Sequence, residues 1–174
     1  MSERSKAYAE AMLAVAKAEG YLADVEDDLF RFARTVEAND ELLLALTNRN
    51  LPTERRLAVV EDLMGGKALA TSVALASMVV AAGRAGELGE IVDEFVAAAA
   101  AERDQEVAEV RSAIPLTDEQ ITRLTAALSA ATGKAVEVKL VVDPHVLGGL
   151  VARLGDLVID GTVRHRLDQL KEQI

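Results

Sequence analysis

The sequence predicts a mainly α-helical protein in two parts: an N-terminal six-helix bundle over residues 1–104 and a small α/β domain over residues 105–174. Three observations predict it. Hydrophobic residues make up 51% of the 174, mostly Ala, Leu and Val, with 3% aromatics and no Trp, a composition that suits closely packed helices and excludes global disorder. Apolar residues recur at spacings of 3 and 4 as far as about Glu102, then in short alternating runs after Asp104. Charge divides at the same place, with 11 basic and 19 acidic residues up to Asp104 against 8 and 10 beyond it, net −8 and −2.

In the first part, Gly20 ends a helix that starts near Ser5. The second helix carries Leu22, Val25, Leu29, Phe32 and Val36 on one stripe and ends at Asn39-Asp40. Asn48 to Pro52 reads as a loop, and Thr53 as the cap of a segment that stops at Gly65-Gly66. Ala68 to Gly83 is the longest uncharged stretch. It falls short of the roughly 20 strongly apolar residues that a membrane span needs. A helix that is apolar all round is either fully buried or shared with a partner. Gly86 to Gly89 opens the last helix of this part, on which Leu88, Ile91, Val92 and Phe95 share a face.

In the second part, Val107 to Ile114 is β-branched and stopped by Pro115, the pattern of a strand. Thr117-Asp118-Glu119-Gln120 is a capping box ahead of Ile121, Leu124 and Leu128, with Gly133 closing the helix. Val136, Val138, Leu140 and Val142 alternate with Glu137, Lys139 and Val141, which predicts a half-buried strand ended by Asp143-Pro144. Leu150 to Leu154 and Leu157 to Asp160 flank Gly155-Asp156, a two-residue link suited to a type II′ hairpin. Val163, Leu167, Leu170 and Ile174 predict a final amphipathic helix.

Catalytic and cofactor chemistry finds no support. A chain of net charge −10 repels phosphate backbones, so nucleic acid is excluded as a partner. The absence of Cys removes thiolate metal sites and thiol nucleophiles. Gly65-Gly66-Lys67-Ala68 fails as a phosphate loop, because Glu61 and Ala68 stand where Gly and Ser or Thr are required. Gly83, Gly86 and Gly89 mark a helix junction, and Gly148-Gly149 a bulge or a close backbone approach between strands. His145 and His165 lack metal-ligand spacing, Asp24, Glu26, Asp27 and Asp28 read as a solvated face, and pairings through Ser112 or Ser129 are such as any chain of this length allows. The expectation is no enzyme, no cofactor and no metal. Met1 to Lys6 is not followed by the 7–15-residue apolar core of a signal peptide, which predicts a cytoplasmic chain.

Asp143-Pro-His-Val-Leu-Gly-Gly-Leu-Val151, Arg153-Leu-Gly-Asp156, Val158-Ile-Asp-Gly-Thr-Val-Arg164 and Arg166-Leu-Asp-Gln-Leu170 closely resemble the signature of the delta subunits of F-type ATP synthases, the family of the oligomycin-sensitivity-conferring protein. Tyr8-Ala-Glu-Ala-Met-Leu13 resembles the family's first helix, Ala82-Gly-Arg84 with Leu88, Ile91 and Phe95 its last helix pair, and Ser112-Ala-Ile-Pro-Leu-Thr117 its interdomain strand. Thr162 and His145 depart from the family's usual residues, each keeping a capping or turn role.

The resemblance implies a non-catalytic peripheral-stalk subunit, one copy per complex, on the cytoplasmic face of a bacterial membrane without inserting into it. It implies that the N-terminal domain grips the catalytic head through the N-terminal helix of an alpha subunit, and that the C-terminal domain holds the b subunits. The head-binding groove is expected between the first and fifth helices, at Tyr8, Ala11 and Val15 and at Ala74 and Met78. On the b-subunit side the signature residues Gly148, Gly149, Asp160, Gly161 and Arg164 are expected to shape the backbone, with Asp160 capping the final helix beside Arg164. A generic helix-binding adaptor is the alternative, and the motif from Asp143 to Arg164 discriminates against it.

Overall fold

A computed structural model describes residues 3–146, 148–155 and 157–161. Contacts divide the chain into two compact units, Met1–Ala99 and Ala100–Ile174. The division falls in the last turn of a helix rather than after it. The helices are α1 (Glu3–Glu19), α2 (Leu22–Glu37), α3 (Asp40–Thr47), α4 (Thr53–Met64), α5 (Ala70–Ala81) and α6 (Leu88–Ala101), the last preceded by a 3-10 turn at Ala85–Glu87. With α7 (Asp118–Thr132) they make seven α-helices among the described residues, beside one small mixed sheet.

The 3-and-4 spacings place the core as the periodicity requires. Val25, Leu29, Phe32 and Val36 of α2 and Leu88, Ile91, Val92 and Phe95 of α6 are all buried. Gly83 stops α5 in the left-handed conformation at φ 72°. Its N–H donates to the Val80 carbonyl at 3.0 Å and that of Arg84 to Val79 at 3.1 Å, a Schellman ending that a residue with a Cβ would strain.

Two helix starts differ from expectation. Asn39 begins α3 rather than ending α2, because its Oδ1 accepts the Leu42 N–H at 3.1 Å and makes it an N-cap. Thr53 is the first residue of α4 and caps nothing; its Oγ1 accepts instead from Arg56 Nη2 at 3.1 Å.

The acidic run on α2 is also not the solvated face that the sequence predicts. Asp24 and Asp27 are exposed, but Glu26 and Asp28 are buried. The Asp28 carboxylate accepts from the Leu69 N–H and the Ser72 hydroxyl, each at 2.9 Å, and from Arg31 at 2.7 Å. Asp28 therefore caps α5 from a neighbouring helix, since the N-cap residue Leu69 has no acceptor in its own side chain.

The second unit contains β1 (Glu106–Ser112), α7, β2 (Val136–Val142), β3 (Leu150–Leu154) and β4 (Leu157–Asp160), in sheet order β2-β1-β3-β4. β1 and β2 are parallel, joined through α7, and the other pairings are antiparallel. Thr117 and Gln120 form the expected capping box, and Gly133 closes α7 in the left-handed conformation. Leu154 pairs with Leu157, the register expected of the hairpin, with Gly155 left-handed at φ 55° and Asp156 outside the described residues. The register aligns Val138, Ala108 and Leu154 in one row and Leu140, Val110 and Ala152 in the next, and Leu124 and Leu128 of α7 belong to the same core.

β1 ends at Ser112, two residues short of expectation, and Ile114 is 68% exposed beside Pro115. The alternation along β2 is imperfect, because this is an edge strand. Val142 at its end is exposed, whereas Lys139 is buried with its Nζ 2.9 Å from Glu137. The final amphipathic helix and Arg164 lie outside the described residues.

Glu137 supplies a pH test of this unit. Burial, the largest influence, pushes its carboxyl up, but hydrogen bonds and charges from Lys139 and Arg103 together outweigh burial and hold it below its ordinary 4.5. Arg103 lies 2.5 Å from the second carboxylate oxygen. A lowered folded-state value means stability that is fully present above 4.5 and fades as pH falls through the folded value. Glu137→Gln should therefore cost below about 1 kcal/mol at neutral pH, with the deficit closing in acid. Urea melts of both proteins at a series of pH values check this, and a constant deficit would contradict it.

Candidate functional site

On α1 the buried residues are Ser5, Ala9, Met12 and Ala16, spaced 4, 3 and 4. One position earlier in the register, Tyr8, Ala11 and Val15 form the shoulder of that stripe. Tyr8 is half-buried, Ala11 exposed and Val15 42% exposed. On α5 the buried residues are Ser72, Leu75, Ala76, Val79 and Val80, while Ala74 and Met78 are exposed, Met78 to 38%. None of the five residues is enclosed core. α1 packs against α5, so neighbouring helices carry the two shoulders.

Arg84, just beyond α5, fixes one end of this pair. Its guanidinium lies 5.3 Å from the centre of the Tyr8 ring and donates to Glu87 at 2.7 Å. The side chain ties the first half of α1 to the C-terminal end of α5. Ala-Gly-Arg84 was legible as a motif, but its contact with Tyr8 spans most of the unit and leaves no periodicity to read.

The second unit has a surface pocket of about 680 Å³ lined largely by apolar groups, among them Ile114, Leu116, Leu124, Gly148, Gly149 and Leu150. Gln120 and Arg123 of α7 supply polar groups to its wall. Gly148 and Gly149 are both left-handed, at φ 64° and 96°. This conformation turns the chain into β3 at the pocket wall. Gly161 also has a reason to lack a side chain, because a Cβ there would lie 3.3 Å from the Leu150 carbonyl oxygen, which accepts the Gly161 N–H at 2.9 Å. Asp160 ends β4 opposite Val151, exposed. The pocket was not anticipated, since Ser112 to Leu116 and Gly148 to Leu150 are distant in sequence and meet only through the β1–β3 pairing, Ser112 with Leu150.

The two serine hydroxyls and the backbone at His145 take part in local structure. Ser129 Oγ accepts the Val136 N–H at 3.2 Å, and Ser112 Oγ that of Ile114 at 3.4 Å. The His145 N–H donates to Asp143 Oδ1 at 2.9 Å, an Asx turn. Among the described residues no group of His, Asp and Glu has the placement of a metal site, and no helix is long and apolar enough to cross a membrane.

Residues 5–174 match the family model of the ATP synthase delta (OSCP) subunit. ATP synthase subunit delta of Kineococcus radiotolerans is 42% identical over 164 residues, covering 94% of this chain and 59% of its own. That of Nocardia farcinica is 42% identical over 165 residues, covering 95% and 61%. This chain thus spans about three fifths of the length of the relatives it matches. A chain of the Toxoplasma gondii mitochondrial ATP synthase hexamer superposes with a TM-score of 0.59 at 29% identity, covering 99% of this chain and 97% of that one.

The left-handed glycines make a stability prediction. Gly149→Ala should destabilise the second unit by roughly 1–2 kcal/mol, because a Cβ at φ 96° meets the neighbouring carbonyl. Hydrogen exchange of the β1 to β4 amides should rise in this variant while that of α1 to α5 is unchanged. Equal protection in both proteins would remove the backbone role of Gly149.

Proposed function

This chain belongs to the ATP synthase delta (OSCP) subunit family, and from that premise we propose that it is a non-catalytic peripheral-stalk subunit of an F-type ATP synthase, holding the catalytic head against rotation. The observation that carries the reading beyond the family is the unspent apolar surface on α1 and α5, at Ala11, Val15, Ala74 and Met78. A protein that transmits torque needs contact area and rigidity, and no reacting group.

The face shared by α1 and α5 is proposed to take the N-terminal helix of an alpha subunit. Small residues at Ala11 and Ala74 leave room for a helix to approach closely, and Val15 and Met78 offer larger contacts beside them. At ~25 cal/mol per Å², a docked helix covering several hundred Å² of apolar surface gains on the order of 10 kcal/mol before association costs. The pocket between β1, α7 and the Gly148-Gly149 turn is proposed to receive an apolar segment of a b subunit, with Arg123 and Gln120 fixing its polar atoms. The six helices of residues 1–104 then act as a bundle that grips the head, and residues 105–174 grip the stalk on the cytoplasmic face of the membrane.

Tagged full-length chain incubated with detergent-solubilised membranes of its host should retain alpha and b subunits, and recovery of neither would overturn the reading. Met78→Glu should weaken binding of a synthetic peptide of the alpha N-terminus by about 2 kcal/mol or more, since a carboxylate would lie within the apolar contact. Far-UV dichroism and the melting temperature should stay near wild type, because Met78 is 38% exposed in the free chain. Unchanged affinity by isothermal titration would place the binding surface elsewhere.

A further inference from the structure

α5 contains no charged residue, and no ionisable group falls between Lys67 and Arg84. Its side chains are uncharged on every face, with Thr71, Ser72 and Ser77 the polar ones, so no charged face of its own sets its rotation about the axis. Yet both ends meet a buried charge from another helix. At the N-terminal end the Asp28 carboxylate of α2 accepts from Leu69 N–H and Ser72 Oγ. At the C-terminal end Arg56 of α4, itself buried, donates from Nη1 to the Val80 carbonyl at 3.0 Å. The signs match the helix dipole, negative at its positive end and positive at its negative end.

Burying two charges costs desolvation that an ordinary Ser or Asn cap and a glycine stop would avoid. What the pair adds is directional. Ser72 projects from one point on the helix circumference, and Val80 O lies at one height along the axis. We propose that Asp28 and Arg56 are positioning residues that key the rotation and axial height of α5, so that Ala74 and Met78 are presented beside α1 in one register. The functional half of this inference rests on the proposed docking of a helix on α1 and α5.

The test uses the full chain in three forms: Asp28→Leu with Ser72→Ala, Arg56→Met, and Val60→Ala as a control that opens a cavity in the core of α4, where Val60 is fully buried. Melting temperature, amide spectra of α5 and affinity for the alpha N-terminal peptide are measured on each. The two clamp variants should broaden or double the α5 amide signals and raise the Kd by about ten-fold or more. The control should lose at least as much thermal stability while keeping one sharp set of signals and the wild-type Kd. Sharp single signals with a Kd within about two-fold of wild type in the clamp variants would overturn the inference, as would equal weakening by Val60→Ala. Should the apolar variants fail to fold, Asp28→Asn gives the same comparison with the shape preserved. If the wild-type chain does not bind the peptide, the docking reading fails, and the α5 spectra still decide whether the register is keyed.

Discussion

An uncharged helix must be held in place by groups that are not its own. α5 buries Leu75, Val79 and Val80, and at about 1.5–3 kcal/mol for each large apolar side chain this burial dominates its attachment. Contacts between a charge and a helix end contribute less, typically 0.3–1 kcal/mol and about 2 when partly buried. The two effects therefore answer different questions. Packing decides that α5 stays in the helical unit, while the contacts of Asp28 with Ser72 and of Arg56 with Val80 add direction that an uncharged surface does not supply. Arg84 extends the same logic beyond the helix, reaching from the end of α5 to Tyr8 on α1.

Local chemistry was legible in the sequence where a single residue type has one strong use. The Thr117–Gln120 box, the Gly83 and Gly133 stops and the pairing of Leu154 with Leu157 all stand where the local chemistry placed them. The five shoulder residues were legible as a helical face, and only their exposure separates them from core residues one position away. What remained hidden depends on a specific partner side chain or backbone group rather than on periodicity. Asp28 reads like its exposed neighbours Asp24 and Asp27 until α5 is brought against it, and Thr53 reads as a cap until Arg56 occupies its hydroxyl. Lys139 occupies a polar position of β2 yet is buried, because Glu137 two residues away satisfies its ammonium. In each case one side chain's neighbour decides its role, and strand or helix periodicity carries no record of that neighbour.

The two units solve the same problem with different backbones. In the helical unit, small side chains on α1 and α5 leave exposed surface beside their buried stripes, and polar contacts at the two ends of α5 add to the burial that holds it. In the α/β unit, the space arises where β1 stops short at Ser112 and two left-handed glycines carry the chain into β3. There Ile114 stays 68% exposed, and Leu116, Leu124 and Leu150 border the pocket instead of closing the core over it. Both surfaces keep apolar area uncovered at a cost to the isolated chain, the feature on which the proposed docking rests.

That cost constrains where such surfaces can lie. An exposed apolar face on a mobile element would spend much of its binding free energy on ordering. Here the faces belong to helices with buried cores and to a sheet whose central strands pair along most of their length. Buried packing thus underlies both proposed contact surfaces in the free chain. For the proposed stalk role this order matters, since a surface that formed only on binding would spend part of its binding free energy on ordering.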